Sequence, residues 1–246
     1  MILSVALGLV LTQGYYTADE ARQLFAEGAQ AYDREQYDRA IDAWTRLVAR
    51  GLDGPDVLYN LGTAHLRKGD LGAAVLYLER AQRLQPDGED IGAHLEIARA
   101  RQLDRVVGAE GGTLMQRVAN AVSPDAASWL FLGAWIGAFA LLIALRRVGP
   151  GRSAALGLAA AALFAVAVPA GLLVAAQAYV ARTIREAVVM KQTLEARELP
   201  AAQAKVSFEV HAGLKVRVLE AEGPFVRIRL PNGLVGWAER GGIAEI

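Results

Sequence analysis

The side chains able to do acid–base or metal chemistry are few and scattered. His65, His94 and His211 are the only histidines, and they lie far apart in two differently patterned regions. That separation offers no ligand spacing for zinc. Cysteine is absent, which removes disulfides, thiolate catalysis, cysteine-ligated zinc, iron–sulfur clusters and lipid anchoring through a thiol, and is compatible with any compartment. No glycine-rich phosphate loop, nucleophile elbow or His-Glu-x-x-His helix occurs. Glu186 and the pair Glu220 and Glu222 read as solvated carboxylates. The expectation is therefore a protein with no catalytic residues, no cofactor and no metal, whose chemistry is recognition.

Charge does not name what is recognised. Lys and Arg balance Asp and Glu at 26 each in 246 residues, so no global field points to nucleic acid or to an anionic surface. The apolar fraction of 54% is instead concentrated in a few stretches.

Two of those stretches organise the rest. Residues 126–145 hold twenty residues without a charge, and 154–180 are longer, alanine-rich and interrupted by Pro169. A helix rising about 1.5 Å per residue covers a hydrocarbon core of roughly 30 Å in about 20 residues, and membrane helices tolerate proline. The pair reads as a two-helix transmembrane hairpin rather than a buried hairpin of a soluble core. Residues 146–153 between them carry Arg146, Arg147 and Arg152, the pattern of a cytoplasmic loop. Trp129, Trp135 and Tyr179 are expected as interface anchors, while Arg182, Arg185 and Lys191 weaken the charge bias. Ser128 and Gln177 are the polar exceptions within the spans, too few for a transport path. Gly133 and Gly137, which Gly157 and Ala161 could oppose, offer a small-residue face either for a seam within the hairpin or for association with another membrane protein.

Residues 1–14 carry an apolar run from Ile2 to Leu11, too short to span, followed by Thr12 and Gly14. They read as a signal peptide lacking a basic residue near its start, with a buried first helix as the alternative.

From 21 to 88 the chain repeats with a period of 34. Leu24 recurs as Leu58, Gly28 as Gly62, Ala40 as Ala74 and Trp44 as Leu78. Small residues at Gly62 and Ala74 let two helices cross closely, with Leu58, Leu61, Leu78 and Leu84 between them and Pro86 as the stop. The second copy, with Leu58, Leu61, Gly62, Gly69, Ala74, Leu78, Ala81 and Pro86 on the pattern and His65 where an aromatic is usual, resembles the tetratricopeptide repeat. The organisation is then a domain over 17–106, with repeats 21–54 and 55–88 and a capping helix at 89–106 built on Ile91, Leu95, Ile97 and Ala98.

The resemblance implies that the first helix of each copy lines a concave groove. Its positions include Arg22, Phe25, Ala29, Tyr32 and Asp33, then Asp56, Tyr59, Asn60, Thr63, Leu66 and Arg67. Phe25, Tyr32, Tyr59, Asn60, Thr63 and Arg67 are the candidate partner residues. Asn60 matches one position of a carboxylate clamp, but Phe25 and Ala29 occupy others, so the implied ligand is an extended peptide or a partner helix. Residues 107–125 form a linker or an interfacial helix, with Leu114, Met115, Val118 and Val122 on one stripe.

After the hairpin, residues 181–246 begin as a helical stalk shading into strand, from Arg182 to Glu195, and then alternate apolar and polar residues between turns at Ala212-Gly213, Glu222-Gly223-Pro224 and Pro231-Asn232-Gly233. They resemble the bacterial SH3-like domain in the Glu-Ala-Arg start after Leu194, the Ala212-Gly213 turn, the Phe225-Val226 strand and the closing Trp237. The implied fold is an all-β barrel that binds peptides or cell-wall glycopeptide, with Phe225 and Trp237 as its candidate surface.

The fold class expected for the whole chain is thus a multi-domain membrane protein: an α-helical tetratricopeptide solenoid, a two-helix transmembrane hairpin and a C-terminal SH3-like barrel. That order resembles the BatE family of the bacterial aerotolerance (Bat) operon. The resemblance implies an inner-membrane scaffold beside von Willebrand factor A-type membrane proteins and a MoxR-type ATPase, with both terminal domains periplasmic. Alternatives are a peptidoglycan-binding receptor and a chaperone for exported proteins.

Overall fold

The computed structural model describes residues 17–104, 122–147 and 150–246. The signal-like segment 1–14, most of 107–125 and residues 148–149 of the basic loop lie outside the described residues. Contacts divide the chain into two units, Met1–Val107 together with Glu186–Ile246, and Gly108–Arg185.

Among the described residues of the first unit five helices follow one another: α1 (Ala18–Asp33), α2 (Tyr37–Val48), α3 (Pro55–Lys68), α4 (Leu71–Leu84) and α5 (Glu89–Ala100). Their ends are written in the sequence. Thr17 and Glu20 form a reciprocal capping box on α1, Pro55 opens α3, and Gly69 ends α3 with φ +87°, where a Cβ would be strained. Asp70 caps α4 through the Ala73 N–H and also holds His65 at 3.0 Å.

The 34-residue period is a packing rule. A Cβ on Gly28 would lie 2.4 Å from the Trp44 indole nitrogen, and one on Gly62 would lie 2.6 Å from Cγ of Leu78. Within each pair of helices a bare backbone therefore receives the large side chain that recurs opposite it. Ala40 and Ala74 are fully buried, as are Leu24 and Leu58 almost completely. Leu84 differs from expectation: it is exposed at the C-terminal end of α4, where the helix has run past its neighbour. Ile97 likewise faces out, leaving Ile91, Leu95 and Ala98 as the buried stripe of α5.

The strands are β1 (Arg185–Val189), β2 (Thr193–Arg197), β3 (Val206–His211), β4 (Lys215–Glu222), β5 (Phe225–Arg229), β6 (Val235–Glu239) and β7 (Ile243–Glu245). Of the expected stalk, helical and shading into strand, the helical part is short: the preceding helix ends at Thr183, and β1 begins at Arg185 and β2 at Thr193. The sheet runs β3-β2-β6-β5-β4-β1-β7 and is open, not the closed barrel expected. Closure fails for a local reason. Strand β7 pairs with β1 on one side, and α4 engages its other end through Arg80 and Arg83. These donate to the main-chain oxygens of Glu245 at 2.6 Å and Ile246 at 2.8 Å. One face of the sheet buries Leu194, Ala196, Val210, Val216, Val226 and Ile228.

The repeats and the sheet are not separate modules. Val188 joins one apolar cluster with Val75, Leu76 and Leu78 of α4 and Leu95 of α5, with Met190, Ala244 and Ile246 packed against it. Gly72 is the close-approach point, since a Cβ there would sit 3.0 Å from the Met190 backbone.

In the second unit α6 (Pro124–Leu145) and α7 (Pro150–Thr183) lie side by side, both long and apolar enough to cross a membrane. Ala127, Ala134 and Ala138 on α6, and Ala160, Ala167 and Ala170 on α7, are buried. Gly137 meets Leu163, and Gly171 meets Phe131. Gly133 and Gly157 face open space, so the close seam is alanine-lined rather than the glycine pair the spacing suggested. Trp135 packs edge-on to Phe164, and Leu130, Ile136, Leu158 and Leu172 are exposed.

Gly28→Val and Gly62→Val should each lower stability by about 1–3 kcal/mol through overpacking. Gly92→Ala, at a helical position with open space around it, should be neutral or stabilising. Urea midpoints of the detergent-solubilised chain, followed by far-UV circular dichroism, check the contrast.

Candidate functional site

Two surfaces carry the residues expected to recognise partners. On the helical side, Phe25 and Tyr32 of α1 lean on Trp44, with ring centroids 6.4 and 6.2 Å away. The Trp44 indole N–H donates to the Phe25 carbonyl at 3.2 Å. Arg67 of α3 donates from Nε to the Tyr32 hydroxyl at 3.4 Å, joining the two copies across their first helices. Phe25 also borders a mostly apolar cavity of about 250 Å³ together with Leu47, Leu52 and Val57.

Tyr59 is held towards α5. Its hydroxyl is 3.2 Å from Nδ1 of His94, which is also 2.9 Å from the Asp90 carbonyl oxygen. A carbonyl only accepts, so Nδ1 carries the proton there. Burial, then the Asp90 charge, raises the Tyr59 phenol above its ordinary value. Thr63 is buried and donates its hydroxyl proton to the Asn60 carbonyl at 2.9 Å, so it is committed within α3. Arg22, Asp33 and Asp56 are exposed, Ala29 is half-buried, and Leu66 is buried towards α4.

The second surface is the outer face of the sheet. Trp237 stands opposite Arg227 of β5 and Arg197 of β2, and Phe225 stands opposite Glu239. Directly opposed and alternate residues share a face, so Phe225, Arg227, Trp237 and Arg197 lie together. Phe225 is buried and Trp237 half-buried. Arg227 pairs with Glu220 at 2.7 Å and Arg197 with Glu195, so Glu220 is not simply solvated.

The histidines do not converge. His65 stacks on Tyr77 with centroids 5.5 Å apart, and burial lowers its pKa despite the neighbouring Asp70. His211 binds Asp104 through Nδ1 at 2.8 Å and through its own backbone N–H at 2.6 Å. Among the described residues no three His, Asp or Glu side chains are grouped to share a metal ion.

What the sequence reading missed is the charged part of the seam between helices and sheet. Glu79 of α4 is almost fully buried, and its carboxylate accepts from Arg99 at 2.8 Å and Lys215 at 2.9 Å. Lys215 also pairs with Glu186 at 3.0 Å, as does Arg83. Glu186, expected in solvent, is thus a bridging residue because β1 is packed onto α4. Burial opposes its charge, but Lys215 and Arg83 more than offset that and hold its carboxyl below the ordinary 4.5. A signal existed in the sequence. Helix α4 is apolar nearly all round, with Ala73, Ala74, Val75, Leu76 and Leu78 buried, and such a helix must be covered on more than one side.

The tetratricopeptide repeat family profile matches residues 25–89. No curated protein matches the chain. The matched stretch covers α1 to α4, and the tetratricopeptide repeat is a protein-interaction repeat, generally without catalytic activity. The match indicates protein partners for the helical region.

Glu79→Ala leaves two cations facing a buried gap and should cost about 3 kcal/mol. Glu186, with its folded pKa depressed, contributes stability that is complete above its unfolded value and lost as pH falls through the folded one. Glu186→Gln should flatten the acid limb of stability below about the ordinary carboxylate value of 4.5. Thermal midpoints between neutral and acid pH measure both.

Proposed function

We propose that this protein is a membrane-anchored, non-enzymatic scaffold that binds protein partners through the first-helix face of its repeats. The observation that carries the reading is the single packed body made from two chain segments, one before and one after the apolar helices. Segments packed together must share a compartment, so the intervening helices cross an even number of times if they cross at all. Two crossings by α6 and α7 meet that condition. Their exposed leucines and isoleucines, costly in water, are at home in lipid.

The basic turn at Arg146 and Arg147 supports a cytoplasmic loop and, with it, a periplasmic position for repeats and sheet at a bacterial inner membrane. The order of parts then supports a BatE-like role in an aerotolerance or envelope-integrity complex. Its partners would be von Willebrand factor A-type membrane proteins and a MoxR-type ATPase assembly. Phe25, Tyr32, Tyr59, Asn60 and Arg67 are the contact residues of choice. Tyr32 and Arg67 lead, because their hydrogen bond spans both repeats.

A second reading has its own observation. Trp237, flanked by the ion-paired Arg197 and Arg227 and beside Phe225, forms an aromatic and polar platform suited to a cell-wall glycopeptide on an SH3-like domain.

An alkaline phosphatase fused after Ile246 should be active and one inserted at Gly149 inactive; the reverse pattern overturns the periplasmic arrangement. Tyr32→Ala with Arg67→Ala should reduce recovery of membrane partners at least about tenfold if the repeat face carries binding. Retention on purified sacculi that disappears in Trp237→Ala would instead favour the receptor.

A further inference from the structure

A cavity of about 360 Å³ lies where the helical array meets the sheet. Its apolar lining comes from Leu66, Leu71, Leu103 and Ala212, and Arg101, Gln192 and His211 stand around it. The way the chain is held there gives it a defined chemistry.

After α5 the residues alternate in role. Gln102 donates from its side-chain amide to the Gly213 carbonyl at 2.5 Å, and Asp104 takes both the ring Nδ1 and the backbone N–H of His211. These even-numbered residues fasten the segment to the turn after β3. The odd-numbered ones, Arg101 and Leu103, are left to line the cavity. Leu103 is 73% exposed, so a leucine pinned at both neighbours remains uncovered.

Nη1 of Arg101 donates to the Leu66 carbonyl at 3.3 Å, and that is one of five N–H donors. No carboxylate pairs with it among the described residues. Asp104, the nearest in sequence, has both oxygens committed to His211. By contrast Glu79, Glu186, Glu195, Glu220 and Glu239 each already hold an arginine or lysine. Among the described residues the cavity therefore combines an exposed apolar wall with a guanidinium that pairs with no carboxylate.

We propose that this seam cavity binds an extended peptide, taking one medium apolar side chain against Leu66, Leu71 and Leu103 and a carboxylate on Arg101. The volume of about 360 Å³ is ample for a leucine-sized side chain and its main chain. The site also adjoins backbone of the right kind. His211, the last residue of β3, lines it, and β3 is an end strand of the sheet, paired on one side only. At His211 the backbone N–H on that side is held by Asp104, so a peptide strand would add its main-chain hydrogen bonds further back along β3 while the cavity supplies selectivity. This site is distinct from the first-helix face and does not depend on the scaffold reading.

The carboxylate can be a chain terminus or an acidic side chain, and the test separates the two. The full chain in detergent micelles is titrated with fluorescein-labelled, acetyl-capped hexapeptides of β-branched residues ending in leucine. One is a free acid, one a C-terminal amide, and one an amide with glutamate before the leucine. Anisotropy should show binding of the free acid or of the glutamate peptide, identifying the source, and not of the plain amide. Arg101→Gln should weaken binding at least about tenfold, as loss of a charge-assisted hydrogen bond does. Leu103→Ser should weaken it as well, while neither variant shifts the thermal midpoint appreciably. Binding of no peptide at millimolar concentration overturns the proposal. So does equal binding of all three, or binding indifferent to Arg101→Gln and Leu103→Ser. A loss of binding in the first-helix variants Tyr32→Ala and Arg67→Ala with the seam variants unaffected would place the peptide elsewhere and overturn it too.

Discussion

The burial of α4 on two sides is the constraint on which the first unit depends. One side of this helix completes the repeat, where Leu78 fills the gap left by Gly62. The other side receives β1 and β7, brought to backbone contact at Gly72 and sealed by Val188 against Val75 and Leu76. A helix with only one apolar stripe could serve one of these partners. Because α4 serves both, solenoid and sheet share one core, and the open end that a short repeat array would expose is covered.

The buried Glu79 sets how that core is assembled. Apolar surfaces alone tolerate sliding, whereas a carboxylate nearly closed off from water is satisfied only when Arg99 and Lys215 reach it together. Glu186 extends the chain of charges to Arg83, and Arg80 and Arg83 then reach the main chain of the last strand. The same contacts keep β7 from turning towards β3. An end strand engaged by arginines has no reason to close a barrel, so the sheet stays open and β3 remains a free edge.

This arrangement changes what anchoring would accomplish. Two independent modules on flexible tethers would gain mainly in effective concentration. A single body offers fixed surfaces instead: the first-helix face around Tyr32 and Arg67, the outer sheet face around Trp237, and the seam beside Arg101. Residues chosen for recognition fall into different roles within it. Tyr32 and Arg67 meet each other, Tyr59 is turned to His94, and Thr63 is spent on its own helix.

Much of the local structure was legible in the sequence. The 34-residue period, the two apolar helices and the alternating C-terminal strands all follow from interactions between residues near in the chain or from simple periodicity. Such features depend on backbone geometry and side-chain size, which a sequence states directly. The pairing of α4 with β1, the paired state of Glu186, the failure of the barrel to close and the alanine rather than glycine seam of α6 and α7 depend on residues as much as 165 positions apart. Burial on a second face looks, in one dimension, like ordinary helix hydrophobicity. Only the folded chain shows which surface covers it, because that choice is made by shape and by the charges that must find partners once water is excluded.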